Sequence, residues 1–175
     1  AFTDGQEGKS LRSIQVAHSH LDIWEAAAKA LSNGDSQGFN KIANAFSKQF
    51  GGPPPTNLEA IASIVAPELV KAIVPGGGGV EERTALQHQL GTALAPGQAE
   101  GIATQYRALM LGQAQGLKQQ YMGGPGATEE KWNKRLDEKM RKRMEAASVP
   151  SSEQVKSSSR PTVVLKFNAA GEQLP

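Results

Sequence analysis

The chain has 175 residues and no cysteine; it is 21% charged, 38% hydrophobic and only 5% aromatic, with a formal net charge of +2. That length permits one modest domain with tails and a thin core of alanine and aliphatic side chains, and the missing thiols exclude disulfide staples, thiol catalysis and thiolate metal sites, in keeping with synthesis in a reducing cytoplasm. Near-balanced charge does not mark a nucleic-acid binder, no apolar run reaches the roughly eighteen residues of a membrane span, and the N-terminus lacks a secretory pattern, so a soluble chain is expected.

The chain begins with Ala rather than Met, which fits either a trimmed initiator or a piece of a longer polypeptide. Over residues 9–32, Leu11, Ile14, Ala17, Leu21, Trp24, Ala28 and Leu31 recur at steps of three and four, predicting a helix roughly 36 Å long that ends at Asn33-Gly34. Asp35 or Ser36 then caps a second helix with Phe39, Ile42, Ala43, Phe46 and Phe50 on one side, stopped by Gly51-Gly52-Pro53-Pro54-Pro55. Thr56-Asn57-Leu58-Glu59 has capping-box spacing and opens a third helix with Leu58, Ile61, Val65, Leu69 and Ile73 inward. Pro67 lies inside it and is expected to kink or break it.

The glycines at 76–79 lack the Lys-Ser or Lys-Thr continuation of a P-loop and read as a hinge or spacer, with Glu81-Glu82 capping a short helix that carries Leu86 and Leu90. Pro96 fits the first turn of a longer helix to about Met122, whose apolar stripe is Ile102, Tyr106, Leu109 and Met110. Gly112 and Gly116 leave a flat patch where another helix could approach, by local packing or by self-association. Thr128 caps a final amphipathic helix, with Trp132, Leu136, Met140 and Met144 at steps of four amid Lys131, Lys134, Arg135, Lys139, Arg141, Lys142 and Arg143.

The serine-rich stretch 148–159 has the composition of a linker, and 161–167 alternates Val163, Leu165 and Phe167 with Thr162, Val164 and Lys166 at the period of a strand. An isolated strand needs a partner, either a returning segment or another chain. The expected fold is therefore mainly α: a multi-helix bundle with long helices over 1–127, a basic amphipathic helix over 128–147, and a tail over 148–175 containing a short β-strand.

Groups able to perform chemistry are scattered. His18 and His20 diverge by about 200° on a helix and cannot share a metal ion, His88 stands alone, and each reads as a surface or interfacial polar group. No G-x-S-x-G elbow occurs, and the two Trp and two Tyr lie in separate segments rather than forming a sugar cleft. The chain is expected to be non-enzymatic, without cofactor or metal. Residues 128–147 hold seven Lys or Arg against five acids, so pairs such as Glu138 with Lys142 use part of the charge. The Trp132, Leu136, Met140 and Met144 edge is read as docking on another protein, with the seven basic residues as candidate nucleic-acid contacts and a membrane surface as an alternative partner.

The segment Lys9-Ser10-Leu11-Arg12-Ser13-Ile14-Gln15-Val16-Ala17-His18-Ser19-His20-Leu21-Asp22, then Asn40-Lys41-Ile42-Ala43-Asn44-Ala45-Phe46, Pro54-Pro55-Thr56-Asn57-Leu58-Glu59-Ala60 and Ile64-Val65-Ala66-Pro67-Glu68-Leu69-Val70-Lys71-Ala72, resembles a helical region of tailed-bacteriophage and prophage virion proteins. The likeness spans roughly residues 9–122. It implies an internal or ejection protein of the particle, sometimes the C-terminal part of a longer polypeptide with a lytic transglycosylase domain upstream. It also implies synthesis in the bacterial cytoplasm, residence in the virion, and other virion proteins or further copies as partners. It supplies no catalytic residues. Competing expectations are an accessory part of a cell-wall lyase and a DNA-packing module.

Overall fold

The structure, a computed structural model, describes residues 5–74, 78–95 and 97–148. These residues are mainly helical and form α1 (Gln6–Ser32), α2 (Ser36–Phe50), α3 (Leu58–Ile73), α4 (Val80–Gly91), α5 (Gln98–Met122), α6 (Glu129–Asn133) and α7 (Glu138–Ser148). The tail with Val163, Leu165 and Phe167, and with it the expected strand, lies outside the described residues.

Short polar side chains set most of the boundaries. The Asp35 carboxylate accepts from the Gly38 N–H at 2.8 Å and starts α2, one residue beyond Gly34, whose φ of +70° lets the chain leave α1. At α3 the cap is Asn57, not Thr56: its side-chain oxygen accepts from the Ala60 N–H at 2.8 Å, one residue later than the predicted box. Pro67 removes one backbone donor, yet α3 is continuous from Leu58 to Ile73, because Val65, Ala66, Leu69 and Val70 on both sides of it are buried in the core. Gly78 has φ +62°, and a Cβ there would fall 2.3 Å from Val70 Cγ1, so glycine is required where the chain turns into α4. Glu82 accepts from the Gly79 N–H at 2.8 Å and closes the first turn of α4. Helix α5 begins at Gln98 behind Gly97, and Pro96, expected in its first turn, lies outside the described residues.

Helix α1, 27 residues and about 40 Å long, packs against α2, α3 and α5, while α3 also packs on α4. The predicted stripe of α1 is inward, and burial extends beyond it to His18, His20, Ala27 and Ala30, because neighbours cover more than one face. Trp24 is fully buried and its indole N–H donates to the Leu90 carbonyl at 3.1 Å, tying α1 to the last turn of α4. On α5, Ile102 and Met110 are buried, but Leu109 of the predicted stripe is 46% exposed. Beyond the backbone of α5 itself, nothing described lies within 4 Å of where a Cβ on Gly112 or Gly116 would stand, so among the described residues no other helix uses that flat patch.

The largest departure from expectation is the basic segment. It is two helices, α6 and α7, separated by residues 134–137, rather than one. Gln15 of α1 holds the break: its amide donates to the Arg135 carbonyl at 3.3 Å and accepts from the Asp137 N–H at 2.5 Å. Asp137 in turn accepts from the Met140 N–H at 2.7 Å and caps α7. Breaking the helix aims Trp132 and Met140 at the same core. Trp132 is fully buried, Met140 and Met144 are buried and Leu136 is partly buried against them. These four side chains are therefore not an edge offered to another protein. Accordingly the described residues through Met144 belong to one compact unit.

Trp132→Ala is expected to lower the unfolding free energy by about 3–5 kcal/mol, as for a buried large-to-small change. Urea denaturation checks this; a loss below about 0.5 kcal/mol, usual for a surface site, would return Trp132 to the surface.

Candidate functional site

On α1, His18, Asp22 and Glu25 are spaced by four and then three residues, so all three project from one face. Cations from two other helices meet them. Arg107 of α5 contacts Asp22 through Nη2 at 2.6 Å, and the same nitrogen bonds the Glu25 carboxylate. From α7, Arg143 Nη2 reaches Asp22 at 3.4 Å, Arg143 Nη1 donates to His18 Nε2 at 2.6 Å, and Lys139 Nζ lies 3.5 Å from Asp22. Lys139 and Arg143 are one turn apart, so they present a matching pair to the α1 stripe. Asp22 thus gathers three cations, and the cluster clamps α5 and α7 onto the central helix.

The protonation states follow from these neighbours. Burial, and next the Arg143 charge, push the His18 pKa down to about 4, against the smaller opposing pull of Asp22. A guanidinium only donates, so His18 Nε2 accepts and the neutral ring carries its proton on Nδ1. For Asp22, burial alone acts upward, but the Arg107 hydrogen bond and the Arg143 and Arg107 charges prevail and hold its carboxyl below the usual range. For Arg107, burial acts downward and is outweighed by its hydrogen bonds to Glu25 and Asp22, which raise its pKa.

His20, two residues along, points to a different interface. Its Nδ1 meets the Glu68 carboxylate of α3, its Nε2 lies 3.1 Å from the Gln49 amide of α2, and its ring packs edge-on to Phe50 with centroids 4.4 Å apart. Both histidines are therefore buried between helices rather than on the surface, and each joins a different pair of elements. Among the described residues no cluster of three His, Asp or Glu side chains could hold a metal ion, and no helix is long and apolar enough to cross a membrane.

The residues expected to touch nucleic acid are largely engaged within the chain. Lys131 donates to the Gly126 carbonyl at 2.8 Å, Lys134 pairs with Glu130 at 2.7 Å, and Lys142 pairs with Glu138 at 2.7 Å. Arg135 lies over the Tyr121 ring at 5.1 Å, and Tyr121 in turn contacts Trp132. Lys139 and Arg143 belong to the clamp, and Arg141 has its own interactions. The charges do not form the uncompensated track that counterion release requires.

Asp22, Glu25, Arg107, Gln15 and Asp137 belong to no sequence motif. A signal was present for three of them. Asp22 and Glu25 flank Trp24 beside the apolar stripe, and Arg107 is the sole charged residue between Glu100 and Lys118. Gln15 carried no such mark, since a single glutamine on a helix is ordinary. Comparison with protein-family models, curated proteins and solved structures finds no match to this chain.

Asp22→Asn should cost about 2 kcal/mol at neutral pH, since it leaves three cations facing Glu25 alone at a half-buried site, whereas Glu138→Gln on the exposed Lys142 pair should cost under about 0.5 kcal/mol; urea titrations of both variants check the contrast. The unfolded chain binds a proton at His18 near pH 6.5 and the folded one only near pH 4, so stability falls on acidification through that window, by roughly 3 kcal/mol at most. Asp22 acts in the next window: its contribution is present above pH 3.8 and is lost as pH falls below it. His18→Gln should flatten the pH dependence between about 4 and 6.5, read by denaturation at a series of pH values; an unchanged slope there would remove His18 from this account.

Proposed function

We propose that the chain is a non-enzymatic structural component of a tailed-bacteriophage particle, of the internal, ejection, portal-proximal or tail-associated kind. It works as a preformed helical module that mates with other virion proteins or with further copies of itself. One observation carries the reading: the side chains best suited to chemistry, His18, His20, Asp22, Glu25 and Glu68, face one another or cations across helix interfaces, holding α1 to α3, α5 and α7. A rigid body of this kind suits assembly, where a surface must be held ready to pair, better than turnover, which needs reacting groups around a substrate. The likeness of residues 9–122 to virion proteins supports the same reading.

In this reading the tail contributes a short strand, with Val163, Leu165 and Phe167 on one face, that adds to a sheet edge of a neighbouring protein. The compensated charges of α6 and α7 favour a protein partner over DNA.

Mass spectrometry of purified phage particles from the encoding strain is expected to find this polypeptide in mature virions; its absence would defeat the proposal. On a peptidoglycan zymogram the isolated chain is expected to clear nothing, and clearing would transfer it to the cell-wall lyases.

A further inference from the structure

Helix α7 is lightly held. It has eleven residues, below the length at which an isolated helix sustains itself in water, so its packing on the rest of the bundle has to keep it formed. Of residues 138–147 only Met140 and Met144 are buried, whereas α1 buries eleven residues and α3 seven. The other ties to α1 are polar and reach solvent. Arg143 and Lys139, with side chains 35% and 64% exposed, meet Asp22 at 3.4 and 3.5 Å, and Arg143 Nη1 donates to His18 Nε2 at 2.6 Å. Ahead of α7 the chain passes through residues 134–137, a turn held by the Gln15 amide, and before that turn Trp132 is fixed in the core. Local stability follows buried apolar contact, so α7 can open about this turn while the larger helices stay packed.

The contact between His18 and Arg143 decides when. The groups that face the ring are Asp22 on its own helix, Arg107 of α5, and Arg143 of α7 with Asp137 just before that helix. In the closed bundle the neutral ring accepts from Arg143. A proton added to Nε2 from solvent removes that acceptor, sets donor against donor, and places an imidazolium beside two guanidiniums. Arg107 is bonded to both Asp22 and Glu25 between α1 and α5 and stays in place. Arg143 yields, because the helix that carries it is anchored by two methionines. Once it leaves, the ring regains water and keeps Asp22 as a neighbouring anion, so the imidazolium is stabilised in the open form.

We propose that α7 is a proton-released strap: on acidification the His18 ring takes up a proton, expels Arg143, and α7 lifts off α1 about residues 134–137 while α1 to α6 stay folded. Closed, the bundle covers Met140 and Met144. Open, it presents them on the same helix as Lys139 and Arg143, now parted from Asp22, as an amphipathic basic face that exists only after acidification. Burial and the Arg143 charge hold the pKa of the closed ring at about 4, against an ordinary 6.5, so opening takes up a proton between these values and the open fraction grows as pH falls. The strap is a motion within the bundle and stands apart from the virion reading.

The test is hydrogen exchange of the whole chain, read by mass spectrometry on peptic fragments and corrected for the pH dependence of the chemical exchange rate. At pH 7 the amides of residues 138–144 are expected to be protected on the order of tenfold less than those of 14–28 in α1, and with much weaker dependence on dilute urea, the mark of a local opening. From pH 7 to pH 5 the protection of 138–144 should fall on the order of tenfold. In His18→Gln, whose amide oxygen still accepts from Arg143 and whose folding circular dichroism verifies, it should change by less than about twofold over the same range. Exchange of α7 together with α1, at equal protection and equal urea dependence, would overturn the strap. So would α7 protection in the wild-type chain that ignores pH, or a pH response that survives undiminished in folded His18→Gln; the two wild-type measurements decide the matter even if that variant does not fold.

Discussion

The structure depends on how α1, the central helix, carries ionisable groups into contact with its neighbours. A long helix covered on more than one side has too few apolar positions to make its whole buried surface hydrocarbon, and His18, His20, Asp22 and Glu25 fall within the contacts. Each such group must find a partner there or lose its hydration without return. Arg107 answers two of them from α5, Arg143 answers two from α7, and Glu68 with Gln49 answers His20. Asp22 is the node of this arrangement, because α5 and α7 both reach it.

That requirement orders the later part of the chain. Helix α7 can bring Lys139 and Arg143 to Asp22 only if the polypeptide turns after α6, and Gln15 receives that turn by bonding the backbone on both sides of it. The turn also delivers Trp132, Met140 and Met144 to the core. One α1 face therefore accepts part of the charge of the basic segment, whose apolar side chains join the core. What looked like a feature made for an external partner closes the chain's own bundle, and its outward charges are balanced by Glu130 and Glu138.

A body locked in this way is suited to presenting surfaces. The helices are joined by bonds of several kinds, among them an indole to a carbonyl between α1 and α4, ion pairs between α1 and α5, and a histidine with a carboxylate between α1 and α3. A body tied in this way has less to order when it associates, which lowers the cost of association. The neutral His18 beside Arg143 is the acid-sensitive point, because protonating it would set a third cation against Arg107 and Arg143.

Much of the helical framework was legible in the residue pattern. Period and punctuation located α1 to α5 because the signals are local: apolar residues at steps of three and four, Asp35 as a cap, and glycine at the exits. Local signals also misplaced details where neighbours compete, as when Asn57 rather than Thr56 took the cap, or when packing carried α3 through Pro67. The division of 128–147 into two helices could not be read there, because the residue that stabilises the break, Gln15, is more than a hundred positions away. Nor could the pattern tell an apolar stripe that awaits a partner from one that folds back on its own chain. Periodicity reports that a face must be covered and leaves the cover unnamed, and here the cover for Trp132, Met140 and Arg143 exists only once α1 and α5 have been brought together in space.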